Sequence, residues 1–325
     1  MPFLRKTHPF RIERRALYFR RQCEPYMMLE QAKGGLVTVA QRFNQFLSNL
    51  NLTSDQRANG VSRREAVVEV LNRHYWGTTS KTANSVYVGS WAKATRVRPP
   101  RDVDVLFELP KAVYDRFALR AGNKQSQLLQ EVKDVLAKSY STTAIRGDGP
   151  VVVVPFTSFN VELIPAFSLV GGGHWVAMTD NGGHYKKADY SAESNAISTS
   201  DKANGNCRDL VRMMKCWQRY CSVPIKSFHI ELLAIDFLSS WKHSGQSSTY
   251  YDWMVRDFLS FLIGKASSYV YAPGTYEMMN IGSAWKSRAE TAYGRAAKAC
   301  DYEAASAPTL AGEEWQKIFG TDIPK

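Results

Sequence analysis

No run in this 325-residue chain reaches the roughly 18 consecutive apolar residues a membrane-spanning helix needs, so no membrane span is expected. Metal-binding spacings of cysteine and histidine are missing too. The five cysteines, Cys23, Cys207, Cys216, Cys221 and Cys300, form no CxxC pair, and the six histidines are scattered without an HExxH. That argues against structural zinc, and it points to free thiols in a reducing cytoplasm, with Cys216 and Cys221 packed as small apolar groups on a helix. There is no internal repeat and no low-complexity block. Acidic residues are outnumbered, 30 Asp and Glu against 42 Lys and Arg, for a net charge of +12. An anionic partner suits that balance. The first 22 residues are Arg-rich with one acidic residue, yet they lack the Ser enrichment of an organellar presequence and read best as a solvated basic helix.

Apolar content of 44% over this length is ample for a folded core, in two subdomains or one large one. Residues 25 to 50 carry apolar positions at helical spacing, including Leu36, Val39, Phe43, Phe46 and Leu47. Thr53 and Gln56 form a capping-box pattern, and the helix that follows is expected to reach about Tyr75. A polar loop then leads to the short strand Val86-Tyr87-Val88.

The densest stretch comes next, GSWAKATRVRPPRDVDVLF from Gly89 to Phe107. Asp102 and Asp104 alternate with Val103 and Val105, as on a strand. Their carboxylates then share one face about 7 Å apart, and a divalent cation such as Mg²⁺ or Mn²⁺ is the usual way to relieve their repulsion. Gly89 permits a tight turn, and Ser90 with nearby N–H groups would hold the phosphates of a nucleotide whose metal the aspartates carry. A lone DxD is usually a solvated strand end. A strand, a Gly-Ser turn, a basic linker and a carboxylate pair together are far more specific.

This arrangement resembles the signature of the DNA polymerase β nucleotidyltransferase superfamily. The resemblance implies a third carboxylate on a neighbouring strand, which FNVELIPAF supplies as Glu162 where many relatives carry Asp; the longer arm shifts the carboxylate by one C–C bond. Farther along, residues 124 to 140 read as a helix, and 150 to 156 and 159 to 164 as strands. Residues 171 to 206 read as a polar, Gly-rich connector, either a surface loop or a base-contacting rim, and the remainder as helices.

In the helical half Lys215 lies on DLVRMMKCWQRY, and Ser227 opens the next helix, whose N-terminus attracts phosphate. Singly they read as a solvated lysine and a simple cap; together they suit a triphosphate cradle. The pair resembles the C-terminal lobe of the cGAS/DncV-like nucleotidyltransferases (CD-NTases) and oligoadenylate synthases, as do FNQFLSNLNLTSDQR and WQKIFGTDIP. No zinc-ribbon insertion of the animal DNA sensor is present.

The resemblance implies an α+β fold: a polymerase β-like core of small mixed sheet and helices, plus a C-terminal helical bundle, two lobes around a central cleft. The lobes would divide at residue 170, 1–170 and 171–325. It implies catalytic, metal-binding Asp102, Asp104 and Glu162 with two Mg²⁺ or Mn²⁺ ions, and nucleotide-binding Gly89, Ser90, Lys215 and Ser227. The implied activity is synthesis of a cyclic di- or trinucleotide second messenger from NTPs, ATP and/or GTP, read by a downstream effector in the CBASS anti-phage defence of bacteria. A linear RNA, tRNA-end or oligoadenylate-type enzyme and an inactive nucleotide-binding homologue are the alternatives. Tyr185, Tyr190, Tyr250 and Tyr251 are the stacking candidates for the bases.

Overall fold

The computed structural model describes residues 37–325. The basic N-terminal stretch, Leu36 and Cys23 lie outside the described residues.

Two capping boxes start the chain's first two described helices. Thr38 and Gln41 exchange hydrogen bonds at the head of α1 (Val39–Asn49), and Thr53 and Gln56 do so at the head of α2 (Ser54–Tyr75). Each satisfies backbone N–H groups that a helix start leaves open. The second helix has the bounds its sequence predicted. A strand, β1 (Ser85–Tyr87), and a five-residue helix, α3 (Gly89–Lys93), then lead into β2 (Asp102–Glu108).

A seven-stranded sheet holds the first half together. Its order is β1, β2, β5 (Asn160–Ser168), β4 (Val151–Pro155), β3 (Arg146–Asp148), with β6 (His174–Met178) paired to β5 and β7 (His184–Ala188) paired to β6. In this sheet the β2–β5 pair is parallel and the other pairings are antiparallel. Between β2 and β3 run α4 (Lys111–Ala118) and α5 (Lys124–Ser139), the latter burying Leu128, Leu129, Val132 and Val135 as its spacing predicted. Beyond the sheet come α6 (Tyr190–Asn204), α7 (Cys207–Tyr220), α8 (Ser227–Ser240), α9 (Tyr251–Gly264), a small hairpin β8–β9 (Tyr269–Tyr271, Met278–Asn280), α10 (Lys286–Ala304) and α11 (Pro308–Phe319).

Residues 171 to 206 are therefore not a connector. They form the β6–β7 hairpin and α6. Polar Lys186 and Lys187 mask the alternation of β7, while Val176 and Ala177 are buried, and Gly171 to Gly173 supply the positive φ values of the turn before β6.

Buried side chains fall into two large clusters. One joins the sheet with α2 and α5 through Val67, Leu71, Val103, Phe107, Leu128 and Val161. The other fills the C-terminal helices around Trp217, Phe258, Trp285 and Trp315. Helix α1, which the sequence placed with the catalytic half, packs in the second cluster: the Phe43 ring lies 5.2 Å from Trp315 and the Phe46 ring 4.7 Å from Phe319. Beside them the fully buried Arg42 pairs with Glu303 and donates to the carbonyls of Pro308 and Pro324. Cys207, Cys216, Cys221 and Cys300 are free thiols.

Candidate active site

Strand pairing decides where the carboxylates meet. The parallel register sets Asp104 beside Glu162 and Asp102 beside Asn160. Asp102 and Asp104 are both half-buried on the face opposite the buried Val103 and Val105, as i, i+2 residues of a strand must be. Asn160 Nδ2 donates to Asp102 Oδ1 at 3.1 Å, so the residue opposite Asp102 also orients it.

The Gly-Ser turn closes down on Asp104. Val88 N donates to the Asp104 carbonyl at 3.1 Å. Gly89 has φ +54°, and a Cβ there would stand 2.2 Å from Asp104 Oδ2. No other residue type fits both that backbone and that approach. Ser90 follows at the start of α3, whose Trp91 donates from Nε1 to the Asp102 carbonyl at 3.0 Å.

These carboxyls carry unmet negative charge. Burial and Asp102 push Asp104 up to about 6, eased only in part by Lys215, the Ser90 amide and Lys93. Burial, Asp102, Asp104 and Asp148 push Glu162 up to about 7. The donors are hard oxygens, the ligand type that Mg²⁺ and Mn²⁺ prefer. Among the described residues no group of three or more His, Cys, Asp or Glu converges as a ready-made metal site. The register brings two carboxylates side by side, with Asp102 two residues along its strand.

A cleft of about 480 Å³ lies over this face. Gly89, Ser90, Asp102 and Asp104 from the sheet half line it together with Lys215 and Ser227 from α7 and α8. Six of the seven sequence-predicted residues thus share one cavity, while Glu162 is beside Asp104 but not among its lining. Lys215 does not sit on a solvated face: its side chain is only 12% exposed. Burial lowers its pKa, against the pull of Glu231 and Asp104. Ser227 is the first residue of α8, and its hydroxyl donates to Gln218 Oε1 at 2.9 Å.

Of the four tyrosines only Tyr190 lines the cleft. Tyr185 packs in the sheet core against Tyr114 and Phe167, Tyr250 lies against His243 and Trp253, and the Tyr251 hydroxyl bonds Asn206 and Asp209. Sequence reasoning missed Lys93, Glu193, Glu231, Arg96, Gln218 and Arg219, all of which also line the cleft. The one legible signal was Glu231 itself, a charge inside the apolar run SFHIELLAIDFL.

The chain is similar to known proteins over most of its length. The Second Messenger Oligonucleotide or Dinucleotide Synthetase domain matches residues 37–201. A probable cyclic nucleotide synthase of Bacillus cereus is 22% identical over 338 residues, covering 88% of this chain and 98% of that protein. Among solved structures, CdnC of Escherichia coli MS115-1 with ATP superposes with a TM-score of 0.59 at 18% identity, covering 88% of this chain and 99% of that one. The DncV cyclic AMP-GMP synthase of Vibrio cholerae, in complex with the linear intermediate 5' pppA(3',5')pG, gives a TM-score of 0.68 at 12% identity, covering 90% and 98%. At such identities the structural likeness concerns the fold, and it is the polymerase β-like α+β fold expected from the carboxylate signature. With the domain match spanning half of its length, the chain belongs to the Second Messenger Oligonucleotide or Dinucleotide Synthetase family of cGAS/DncV-like nucleotidyltransferases.

Proposed function

We propose that this chain joins NTPs into a cyclic di- or trinucleotide second messenger. The observation that carries the reading is a single cleft lined together by the carboxylates Asp102 and Asp104 and by the largely buried Lys215 with Ser227. That is the arrangement a nucleoside triphosphate requires: hard oxygen donors for its metal, and a cation and a helix N-terminus for its phosphates. Family membership and the activities of the B. cereus and V. cholerae relatives, a probable cyclic nucleotide synthase and a cyclic AMP-GMP synthase, support the same chemistry. ATP is the first nucleotide to test, since CdnC was solved with it and the DncV intermediate begins with it.

Asp102, Asp104 and Glu162 would hold Mg²⁺ or Mn²⁺, two ions, which when bound make an acceptor ribose hydroxyl more acidic and neutralise charge on the departing pyrophosphate. The protein's own residues then supply placement. Gly89 lets the backbone approach Asp104 closely, and Ser90, Lys215 and Ser227 fix the triphosphate. Asn160 and Gln218 hold Asp102 and Ser227 in orientation. Positioning of this kind supplies much of the rate in phosphoryl transfer. The linear intermediate would have to turn within the cleft before its free hydroxyl attacks the second α-phosphate, in a space the helices of the C-terminal half would help to close off. We place the protein in the bacterial cytoplasm, its product read by a separate effector in anti-phage signalling.

The test is incubation of purified protein with all four radiolabelled NTPs and Mg²⁺ or Mn²⁺, then phosphatase treatment and separation. A phosphatase-resistant small product, absent from the Asp102→Asn, Asp104→Asn double variant, is expected. Phosphatase-labile or long products would favour a linear polymerase, a reading the +12 charge suits. Undiminished synthesis by the double variant would overturn the site.

A further inference from the structure

The cleft holds two lysines drawn largely out of solvent, and only one of them can serve a ligand. Lys93, the last residue of α3, is 3% exposed. Its ammonium lies 2.8 Å from Glu193 Oε2 on α6 and 2.9 Å from Glu231 Oε2 on α8. Against the cost of burial, these two carboxylates hold the Lys93 ammonium above its ordinary pKa. The Phe228 ring covers it at 4.4 Å from the ring centre. Two charge-assisted bonds shielded from water and an aromatic lid leave Lys93 no freedom to follow an incoming phosphate.

Lys215 is held differently. Its nearest carboxylate oxygen is Glu231 Oε1, at 3.6 Å, beyond good hydrogen-bond length. That oxygen already accepts from the Thr95 hydroxyl at 3.2 Å. Glu231 therefore commits Oε2 to a firm bond with Lys93 and offers Oε1 to Lys215 only as a loose Coulombic anchor.

Helix geometry explains why these residues face each other. Helices α7 and α8 form an antiparallel pair with two polar rungs across their cleft-facing sides: Gln218 to Ser227 at 2.9 Å, and Lys215 to Glu231 at 3.6 Å. The spacings, three residues on α7 and four on α8, are one helical turn each, so both rungs lie on the same stripe. Ser227 and Lys215 are the proposed phosphate ligands, so the ladder sets their separation. Glu231 joins this ladder to α3, which opens with the turn closing on Asp104; Arg208 of α7 also donates from Nε to the Lys93 carbonyl at 3.1 Å.

We propose that Glu231 is a positioning residue that divides the two lysines by role, locking Lys93 as a fixed tie between α3 and the helical half while aiming the loosely held Lys215 at the triphosphate of the bound nucleotide. This rests on the nucleotide-binding reading of the cleft. It assigns Lys93 no phosphate contact, although its charge and place in the cleft would suggest one.

The number of phosphates on the ligand provides the test. Dissociation constants of a non-hydrolysable ATP analogue and of AMP, with Mg²⁺ present, are measured for the full chain, for Glu231→Gln, for Lys215→Ala and for the double variant. Glu231→Gln is expected to weaken the ATP analogue about tenfold, the scale of one misaimed charge-assisted contact, and to leave AMP unchanged. The double variant is expected to bind no worse than Lys215→Ala, since Glu231 reaches the triphosphate through Lys215 while Glu193, at 2.8 Å, still holds Lys93. Should Glu231→Gln fail to fold, Glu231→Asp, too short to reach both lysines, is expected to give the same ATP-specific loss. Equal weakening of ATP analogue and AMP would show a merely structural role and overturn the inference, as would additive losses or unchanged affinity. Absence of ATP-analogue binding by the unsubstituted chain would instead overturn the reading of the cleft, and with it this inference.

Discussion

Replacing Asp104 with Asn should make the metal-free protein more stable at neutral pH while destroying its activity. Folding raises this carboxyl from 3.8 to about 6, chiefly through burial and through the charge of Asp102. The folded state thus binds the proton more tightly than the unfolded chain, so ionising Asp104 costs stability. The cost is absent below about pH 4, builds between about pH 4 and about pH 6, and is complete above that. A shift of this size corresponds to about 3 kcal/mol. Because the proton is shared out between Asp104 and the adjacent Glu162, whose carboxyl is itself raised by Asp104, about 2 kcal/mol is expected for one substitution. In urea denaturation the Asp104→Asn variant should match the unsubstituted protein at pH 4 and exceed it by about 2 kcal/mol at pH 8, in metal-free buffer. Mg²⁺ at pH 8 should close the gap by stabilising the unsubstituted protein alone. A variant that is less stable at pH 8, or a gain of equal size at both pH values, would refute the electrostatic account.

Gly89→Ala places a Cβ 2.2 Å from Asp104 Oδ2 at φ +54°. We expect about 1–2 kcal/mol of strain and, from a displacement of order 1 Å at the carboxylate, roughly a 100-fold loss of product formation, read by calorimetry and product assay side by side. Glu162→Gln should raise the Mn²⁺ concentration for half-maximal synthesis about tenfold or more, the scale typical of a disturbed metal shell; an unchanged metal titration would remove Glu162 from the site. Thr53→Ala removes the capping hydroxyl of α2 and should cost about 1 kcal/mol, lowering the melting temperature by about 2–4 °C with nucleotide affinity unaltered.

Features carried by neighbours in the chain are legible in the sequence itself. The i, i+2 spacing of Asp102 and Asp104 dictates a shared face, the Thr53 and Gln56 pair marks a helix start, and Gly89 marks a tight turn with room for close backbone approach. A family resemblance supplied Glu162, Lys215 and Ser227, but their relation to the aspartates depends on pairings across long stretches of chain. The parallel register that sets Glu162 beside Asp104 joins strands 58 residues apart, and no local pattern encodes it. The same holds for α1, whose amphipathic face identified a helix but not which core would bury it, and for the tyrosines, of which folding brings only Tyr190 to the cleft. Lys93, Glu193 and Glu231 show the limit most clearly: a buried ion pair becomes tolerable only when its partners arrive from separate helices, so their common purpose existed only once α3, α6 and α8 had packed together.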